Sequence, residues 1–219
     1  MRPVRIWWSK AGRAKYISHL DTVRAMTRAV RRAGIPLWYT EGFHPHPYLT
    51  FPLPLPLGQE SLREPMDLRI ETDLPDGEIL TRLAAALPEG LAALEVTAPV
   101  LGPGDIAAAD YRIYIPFPAP EEAAAWTARA GERLAAGGLT AAKIGKQGHR
   151  KVEKEISLSA LLSAYRLAAE GSAARLTVRL AAGSEQNCNP ALLLEALDAP
   201  CGAEICRTGL LDKTGAPWR

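Results

Sequence analysis

The sequence predicts an α+β protein made of two tandem ferredoxin-like (split βαβ) domains. Three observations predict it. Segments that alternate apolar and polar residues interleave with segments whose apolar residues recur at helical spacing. Their order, β-α-β-β-α-β, is read once before residue 102 and nearly repeats after residue 110. Between the two passes lies GPGDIAAAD (102–110), whose glycines and proline mark a boundary, giving domains at 1–101 and 111–219.

The first pass opens with VRIWW (4–8), a strand, and SKAGRAKYI (9–17), a polar loop. Ser18 stands three residues before Asp21, in the manner of a capping box, so a helix starts there. Leu20, Val23, Thr27, Val30 and Ala33 give this helix one apolar face, Arg24, Arg28 and Arg31 lie on another, and Gly34 stops it. IPLWYT (35–40) and EPMDLRIET (64–72) read as strands, PDGEILTRLAAAL (75–87) as a helix, and LAALEVTAPVL (91–101) as the closing strand.

In the second pass YRIYIPF (111–117) is a strand and PEEAAAWTARAGERLAA (120–136) a helix whose first turn is acidic, as the helix dipole favours. LTAAKI (139–144) is a strand followed by the basic loop GKQGHRK (145–151). VEKEISL (152–158) and LLSAYRLAAEG (161–171) are short and ambiguous. ARLTVRLA (174–181) is a strand, NPALLLEAL (189–197) a helix with Asn189 as cap and Pro190 at its first position, and AEICRTGLL (203–211) the last strand.

With 219 residues, of which 47% are hydrophobic, the chain has enough apolar material for a real core. Its net charge is only +2, yet residues 1–50 carry +7, residues 51–130 carry −8 and residues 131–219 carry +3. This asymmetry points to an anionic partner for the N-terminal part, or to charge balance within the fold. No apolar run approaches the length of a membrane span. Cys188, Cys201 and Cys206 form neither a disulfide framework nor a metal or iron–sulfur spacing, so a reducing cytoplasm is the expected setting, with no metal and no cofactor. G-x-S-x-G, Walker, GxGxxG and H-E-x-x-H motifs do not occur, which leaves an ordinary hydrolase, NTPase or dehydrogenase without support.

The candidate site residues lie mostly between Lys10 and His46. In the proline-rich segment TEGFHPHPYLTFPLPLPLG (40–58), Gly42 supplies positive φ, Phe43 is expected to anchor the turn in the core, and His44 and His46 point the same way from an extended chain. Three readings stand for this segment: a rigid edge or turn, a surface for an anion, or part of a metal site. The Leu-Pro alternation puts leucines on one face while prolines deny the edge to foreign strands. His19, beside Lys15 and Ser18, suits either plain capping, or a phosphate or carboxylate at a helix start with proton transfer as a further option. Arg24, Arg28 and Arg31 form either a solvated face or, with Lys10, Arg13 and Lys15 and the second basic loop of Lys143, Lys146, Arg150 and Lys151, a groove that tracks a nucleic-acid backbone. Trp7, Trp8, Tyr16, Trp38 and Tyr39 are the aromatics at hand for base stacking.

The run SKAGRAKYISHLDTVRAMTRAVRRAGIPLWYTEGFHPHPYLTFPLPLPLGQES (9–61) resembles the signature of the radical-SAM-linked domain of unknown function. That signature pairs S-K-x-G, S-H-L-D and R-A-x-R-R-A-G-x-P with G-F-N/H-P-H-P and P-L-x-x-G-x-E-S. The resemblance continues weakly to the tail, where Arg207 matches a recurrent arginine; Tyr48 departs from it, standing where many members carry lysine. The resemblance implies an accessory module that acts with a radical-SAM enzyme. The chain itself holds no C-x-x-x-C-x-x-C to bind a [4Fe–4S] cluster. The expected function is therefore RNA binding in a radical-SAM modification system. The alternatives are a metal-independent endoribonuclease using His19, by fold analogy with CRISPR repeat-processing endoribonucleases, or a protein-docking module for the radical enzyme.

Overall fold

The computed structural model describes the backbone of residues 1–147 and 150–219, and side chains outside 143–154. It is a mixed α+β structure that divides into two compact units. One comprises Met1–Asp105, Cys206–Gly209 and Pro217–Arg219, the other Ile106–Ile205 and Leu210–Ala216. Neither unit is an uninterrupted half of the chain, because the last strand contributes to both. No helix among the described residues is long and apolar enough to cross a membrane.

The first unit runs β1 (Arg2–Lys10), a 3-10 turn (Gly12–Tyr16), α1 (His19–Arg32), β2 (Leu49–Thr50), β3 (Glu60–Ile70), α2 (Asp76–Ala86) and β4 (Leu91–Thr97). β1 lies between β4 and β3 and is antiparallel to both. The two-residue β2 adds antiparallel to β3 at Leu68 and Asp67. At the other end of β3, Cys206 and Arg207 of β10 (Glu204–Asp212) pair in parallel with Glu60 and Ser61. Side chains alternate across a strand, so Val4, Ile6 and Trp8 of β1 face one way and Arg5 and Trp7 the other. The first set packs with Met66, Leu68 and Ile70 of β3, Met26, Ala29 and Val30 of α1, and Ile79 and Leu83 of α2 to form the core.

Helix α1 starts where the sequence places it. The Ser18 hydroxyl accepts the Asp21 N–H at 3.1 Å and donates to the Asp21 carboxylate at 2.6 Å, and Gly34 ends the helix at φ +64. Arg24, Arg28 and Arg31 are exposed. The strand expected over 35–40 is reduced to isolated bridges, Leu37 to Ile70 and Tyr39 to Pro47. Proline at 36, 45 and 47 removes ladder donors on both sides of a turn, so pairing resumes only at β2.

The second unit runs β5 (Ile106–Pro116), α3 (Pro120–Ala136), β6 (Thr140–Gln147), β7 (Arg150–Ser157), α4 (Leu158–Leu161), β8 (Leu162–Glu170), β9 (Ala173–Ala181) and α5 (Pro190–Ala196), with β10 completing it. β9 pairs antiparallel with both β5 and β8, and β10 stands beside β5. The segment expected as a boundary loop over 102–110 is a 3-10 turn at Pro103–Asp105 followed directly by β5. Alanine is a weak strand former, but the pairing of Ala108 with Ala181 and Ala109 with Leu180 overrides that preference. Of the basic stretch expected as a loop, residues 145–147 and 150–151 belong instead to the antiparallel pair β6–β7, in register from Thr140 opposite Ser157 to Gln147 opposite Arg150, while 148 and 149 lie outside the described residues. The side chains of Lys143, Lys146, Arg150 and Lys151 lie outside the described residues.

Gly90 positions the loop that carries the first lysines. It sits at φ +84, its carbonyl accepts the Ala11 N–H at 2.9 Å, and a Cβ added there would stand 2.7 Å from the Ala14 Cβ and 2.8 Å from the Ala11 oxygen. Gly90→Ala is expected to destabilise the protein by about 1–3 kcal/mol. Urea unfolding measures it, and an unchanged midpoint would contradict this account of the close approach.

Candidate functional site

Three charged side chains are buried on the helix-facing side of the first unit's sheet. Lys10 and Arg207 are 1% exposed and Glu64 is 2% exposed. Alternation along β1 turns Lys10 to the same side as Trp8, and alternation along β3 turns Glu64 to the side of Met66 and Leu68. Arg207 donates from Nε to the Glu64 Oε1 at 2.8 Å and from a terminal nitrogen to the other carboxylate oxygen. The same terminal nitrogen reaches the Leu53 carbonyl at 2.8 Å. Ser61, also buried, donates its hydroxyl to the Arg207 carbonyl at 3.1 Å. The Lys10 ammonium donates to the Ile17 carbonyl at 3.1 Å. Burial pushes the Lys10 pKa down from its ordinary value, and the Glu64 charge pulls it part of the way back.

The proline-rich segment is fastened to this cluster. Leu53 and Leu55 are buried while Pro54 and Leu57 are exposed, so the alternation does place leucines on one face. Proline offers no N–H, which leaves this stretch to be held largely through its carbonyls and its ends. Arg207 takes the Leu53 carbonyl, and the Gly58 N–H donates to the Lys15 carbonyl at 2.8 Å. Glu60, just beyond, accepts the Gly12 N–H at 2.9 Å and lies 3.7 Å from the Lys15 ammonium. His19 opens α1 with its ring edge-on to Phe51, centroids 5.3 Å apart. Partial desolvation of this otherwise exposed ring, and then the Lys10 charge, lower its pKa.

A second set of residues faces solvent. Arg13, Arg24, Arg28 and Arg31 are exposed, with Arg24 3.2 Å from the Asp21 carboxylate. Exposed rings accompany them. Tyr16 is 69% exposed with the Lys15 ammonium 5.5 Å from its centroid, and the Arg31 guanidinium stands 5.7 Å from the exposed Tyr39 ring. The loop over 40–46 is closed by the Thr40 N–H donating to the His46 carbonyl at 2.9 Å and by a 3.0 Å contact between the Thr40 hydroxyl and the His46 Nδ1. Gly42 turns it at φ +123.

Several sequence expectations are corrected here. Phe43 does not anchor the turn in the core; it is fully exposed, because the loop closes below it. Lys10 and Arg207 are not part of an exposed cationic surface; strand alternation and the Glu64 carboxylate keep both inside. Trp7 and Trp8 are buried. His44 and His46 are exposed, and the His46 ring bonds within its own loop, to Thr40 and to the His44 carbonyl at 3.1 Å. Ser18 serves as the α1 cap. Sequence reasoning passed over Glu64, although a signal for it exists: it is the one acidic residue on the apolar face Glu64, Met66, Leu68, Ile70.

Removing one partner of a buried ion pair leaves the other charge uncompensated. Glu64→Gln is therefore expected to cost about 3–5 kcal/mol of stability, while the double replacement Glu64→Leu with Arg207→Met recovers most of it. Denaturant melts of both variants and the unsubstituted protein check this, and a mild single variant would show that the pair holds nothing. A further expectation concerns pH. Unfolded histidine titrates near pH 6.5, and the folded pKa of His19 lies lower. Between the two values the unfolded chain binds more protons, so stability rises with pH across that window and falls as pH drops through it. His19→Gln is expected to flatten this slope in melts taken from pH 5 to 7; a slope equal to that of the unsubstituted protein would contradict it.

A family model of uncharacterized proteins conserved in bacteria (DUF2344) matches residues 3–190. No curated protein matches the chain. Among solved structures, the crystal structure of an unknown protein from Galdieria sulphuraria is 14% identical, with a TM-score of 0.27, over 93% of this chain and 95% of that one. An X-ray structure of a heavy metal efflux pump is 8% identical, with a TM-score of 0.26, over 94% of this chain and 28% of that one. At such scores neither likeness bears on the fold. The family match, spanning most of the length and including the whole run from Lys10 to Ser61, places the chain in the DUF2344 family of uncharacterized proteins conserved in bacteria.

Proposed function

We propose that this protein is an RNA-binding accessory module that works with a radical-SAM modification enzyme and is built from two ferredoxin-like halves. The observation that carries RNA binding is the company of exposed rings and exposed cations on α1 and its flanks. Tyr16, Tyr39 and Phe43 are exposed, and so are Arg13, Arg24, Arg28 and Arg31; the Lys15 ammonium lies 5.5 Å from the Tyr16 ring and the Arg31 guanidinium 5.7 Å from that of Tyr39, while His44 and His46 are exposed in the loop of Phe43. A single strand is gripped in this way, with cations along the phosphates and rings under the bases. The ferredoxin-like reading is supported by the strand order β4-β1-β3, with β2 at the edge and two helices on one face. In the second unit the order β10-β5-β9-β8 supports it likewise, with the paired strands β6 and β7 and α4 inserted. The radical-SAM partner rests on the motif run 9–61.

One observation favours a second reading, a metal-independent endoribonuclease. His19 is exposed at the start of α1 with its pKa depressed, so near neutral pH its imidazole is uncharged and able to take a proton. Incubating end-labelled RNA with the protein and with His19→Ala separates the two: cleavage that the substitution abolishes supports the nuclease, and intact RNA supports the binding module.

The triple variant Arg24→Gln, Arg28→Gln, Arg31→Gln tests the binding surface. All three side chains are exposed and glutamine is a good helix former, so the fold is expected to remain. Affinity for single-stranded RNA should fall about equally across sequences. The log–log salt slope should become shallower by about two to three, at ~0.7 for each phosphate that an arginine no longer neutralises. Fluorescence anisotropy across salt concentrations measures both. Weak binding by the unsubstituted protein with an unmoved slope would sink the RNA reading and leave protein docking.

A further inference from the structure

The first unit's sheet has a second face, turned away from α1 and α2, and a cavity of about 390 Å³ opens on it. Trp7, Arg63, Glu95, Thr97, Val100 and Arg219 line it. We propose that this cavity is a binding site for a guanine base carrying a phosphate. The site lies apart from the α1 surface and does not rest on the RNA-binding reading above.

The floor is rigid. The Trp7 indole is 3% exposed, donates its N–H to the Thr97 hydroxyl at 3.2 Å, and meets Trp218 edge-on with centroids 5.9 Å apart. The Arg63 guanidinium lies 4.1 Å from the Trp7 centroid and is paired with the Glu95 carboxylate. One face of the guanidinium rests on the indole. The Arg63 side chain keeps 40% of its surface exposed, which leaves room for a planar group on its other side. A guanidinium plane fixed in this manner is a stacking platform for a nucleobase. The volume falls in the range of small-molecule sites.

Glu95 gives the base its identity. Its side chain is 49% exposed beside the platform, and an ionised carboxylate only accepts hydrogen bonds. Guanine presents two adjacent donors on its pairing edge, the ring N–H and the amino group, which one carboxylate can take together. Adenine presents an acceptor beside its amino group, uracil flanks its single N–H with acceptors, and cytosine offers an amino group next to an acceptor. The same carboxylate therefore favours guanine and repels the edge of adenine. At the rim, the exposed Arg219 side chain supplies a cation for the phosphate and the exposed Val100 an apolar surface for the sugar.

Isothermal titration of the full chain with 5′-GMP and 5′-AMP tests the site. GMP is expected to bind at one site and AMP at least ~10-fold more weakly, the discrimination of one bidentate pair. Glu95→Gln should abolish the preference, and Arg63→Gln should weaken both nucleotides; both positions are partly exposed, so each variant is expected to fold, which circular dichroism checks. The triple arginine variant of α1 should bind GMP unchanged, so failure of the RNA surface and failure of this cavity are told apart. The tetranucleotide UUGU binding more tightly than GMP assigns the guanine to an RNA strand, and the reverse assigns it to a free nucleotide. No saturable GMP binding, equal affinity for GMP and AMP, an unchanged preference in Glu95→Gln, or UUUU binding as well as UUGU would overturn the proposal.

Discussion

The pairing of Arg207 with Glu64 joins residues 143 positions apart in the interior of the first unit. Much of that unit's architecture hangs on it. Arg207 can meet Glu64 only if β10 runs along β3 in the register that sets Cys206 opposite Glu60 and Arg207 opposite Ser61. The guanidinium then has a donor left for the Leu53 carbonyl, which fixes the proline-rich segment over the cluster. From there the Gly58 N–H reaches the Lys15 carbonyl, and Glu60 reaches the Gly12 N–H, so the loop before α1 is set by the same chain of contacts. A buried ion pair is a poor source of net stability, since desolvation offsets most of its attraction. What it supplies here is register: an apolar pair would tolerate a slip of β10 along β3, whereas a displaced Arg207 would leave two buried charges without partners.

The basic residues near the N terminus divide into two populations with different work. Lys10 points inward and, with Arg207, sets two cations against the single carboxylate of Glu64 on the helix-facing side of the sheet, while Arg5 is buried on the other side against Asp67. Burial lowers the Lys10 pKa against the opposing pull of the Glu64 charge, and partial desolvation, with the Lys10 charge adding to it, lowers that of His19. Arg13, Arg24, Arg28 and Arg31 face water and belong to the part of the +7 of residues 1–50 that is displayed at the surface. The charge asymmetry of the sequence is thus partly internal balance and partly surface field, and only the surface share can steer an anion.

Elements whose causes are local were legible in advance. The Ser18 cap, the acidic first turn of α3 and the Asn189–Pro190 start of α5 each act within a few residues, and the helices begin where those signals stand. Strands with clean alternation, β1 and β3 above all, were legible for the same reason. What escaped depends on distant partners. The Ala-rich start of β5 is strand only because β9 pairs with it, and residues 145–147 and 150–151 belong to β6 and β7 because those strands pair with each other, although 145–151 reads as a basic loop. In the site, cations were visible as a cluster in sequence, but which of them face inward was decided by Glu64 and by strand alternation together. Phe43 shows the same limit from the other side. An aromatic that follows a glycine in a proline-rich turn looks like an anchor, and only the closure of the loop between Thr40 and His46 turns it outward.

That closure explains why an exposed ring can be useful. A fully exposed phenylalanine forgoes the transfer free energy that burial would supply, so its position contributes nothing to folding. The loop around it is nonetheless held by three contacts between Thr40 and His46 and stiffened by Pro45 and Pro47. Rigidity without burial lowers the entropy lost when something settles on the ring, because the backbone has already given up its freedom in folding. A base stacking on Phe43 would then retain most of the stacking energy rather than lose it to ordering the loop. The proline-rich segment accordingly has two ends with opposite duties: Leu53 and Leu55 lock into the unit beside Arg207, and Phe43 is held out in solvent by the same stiffness.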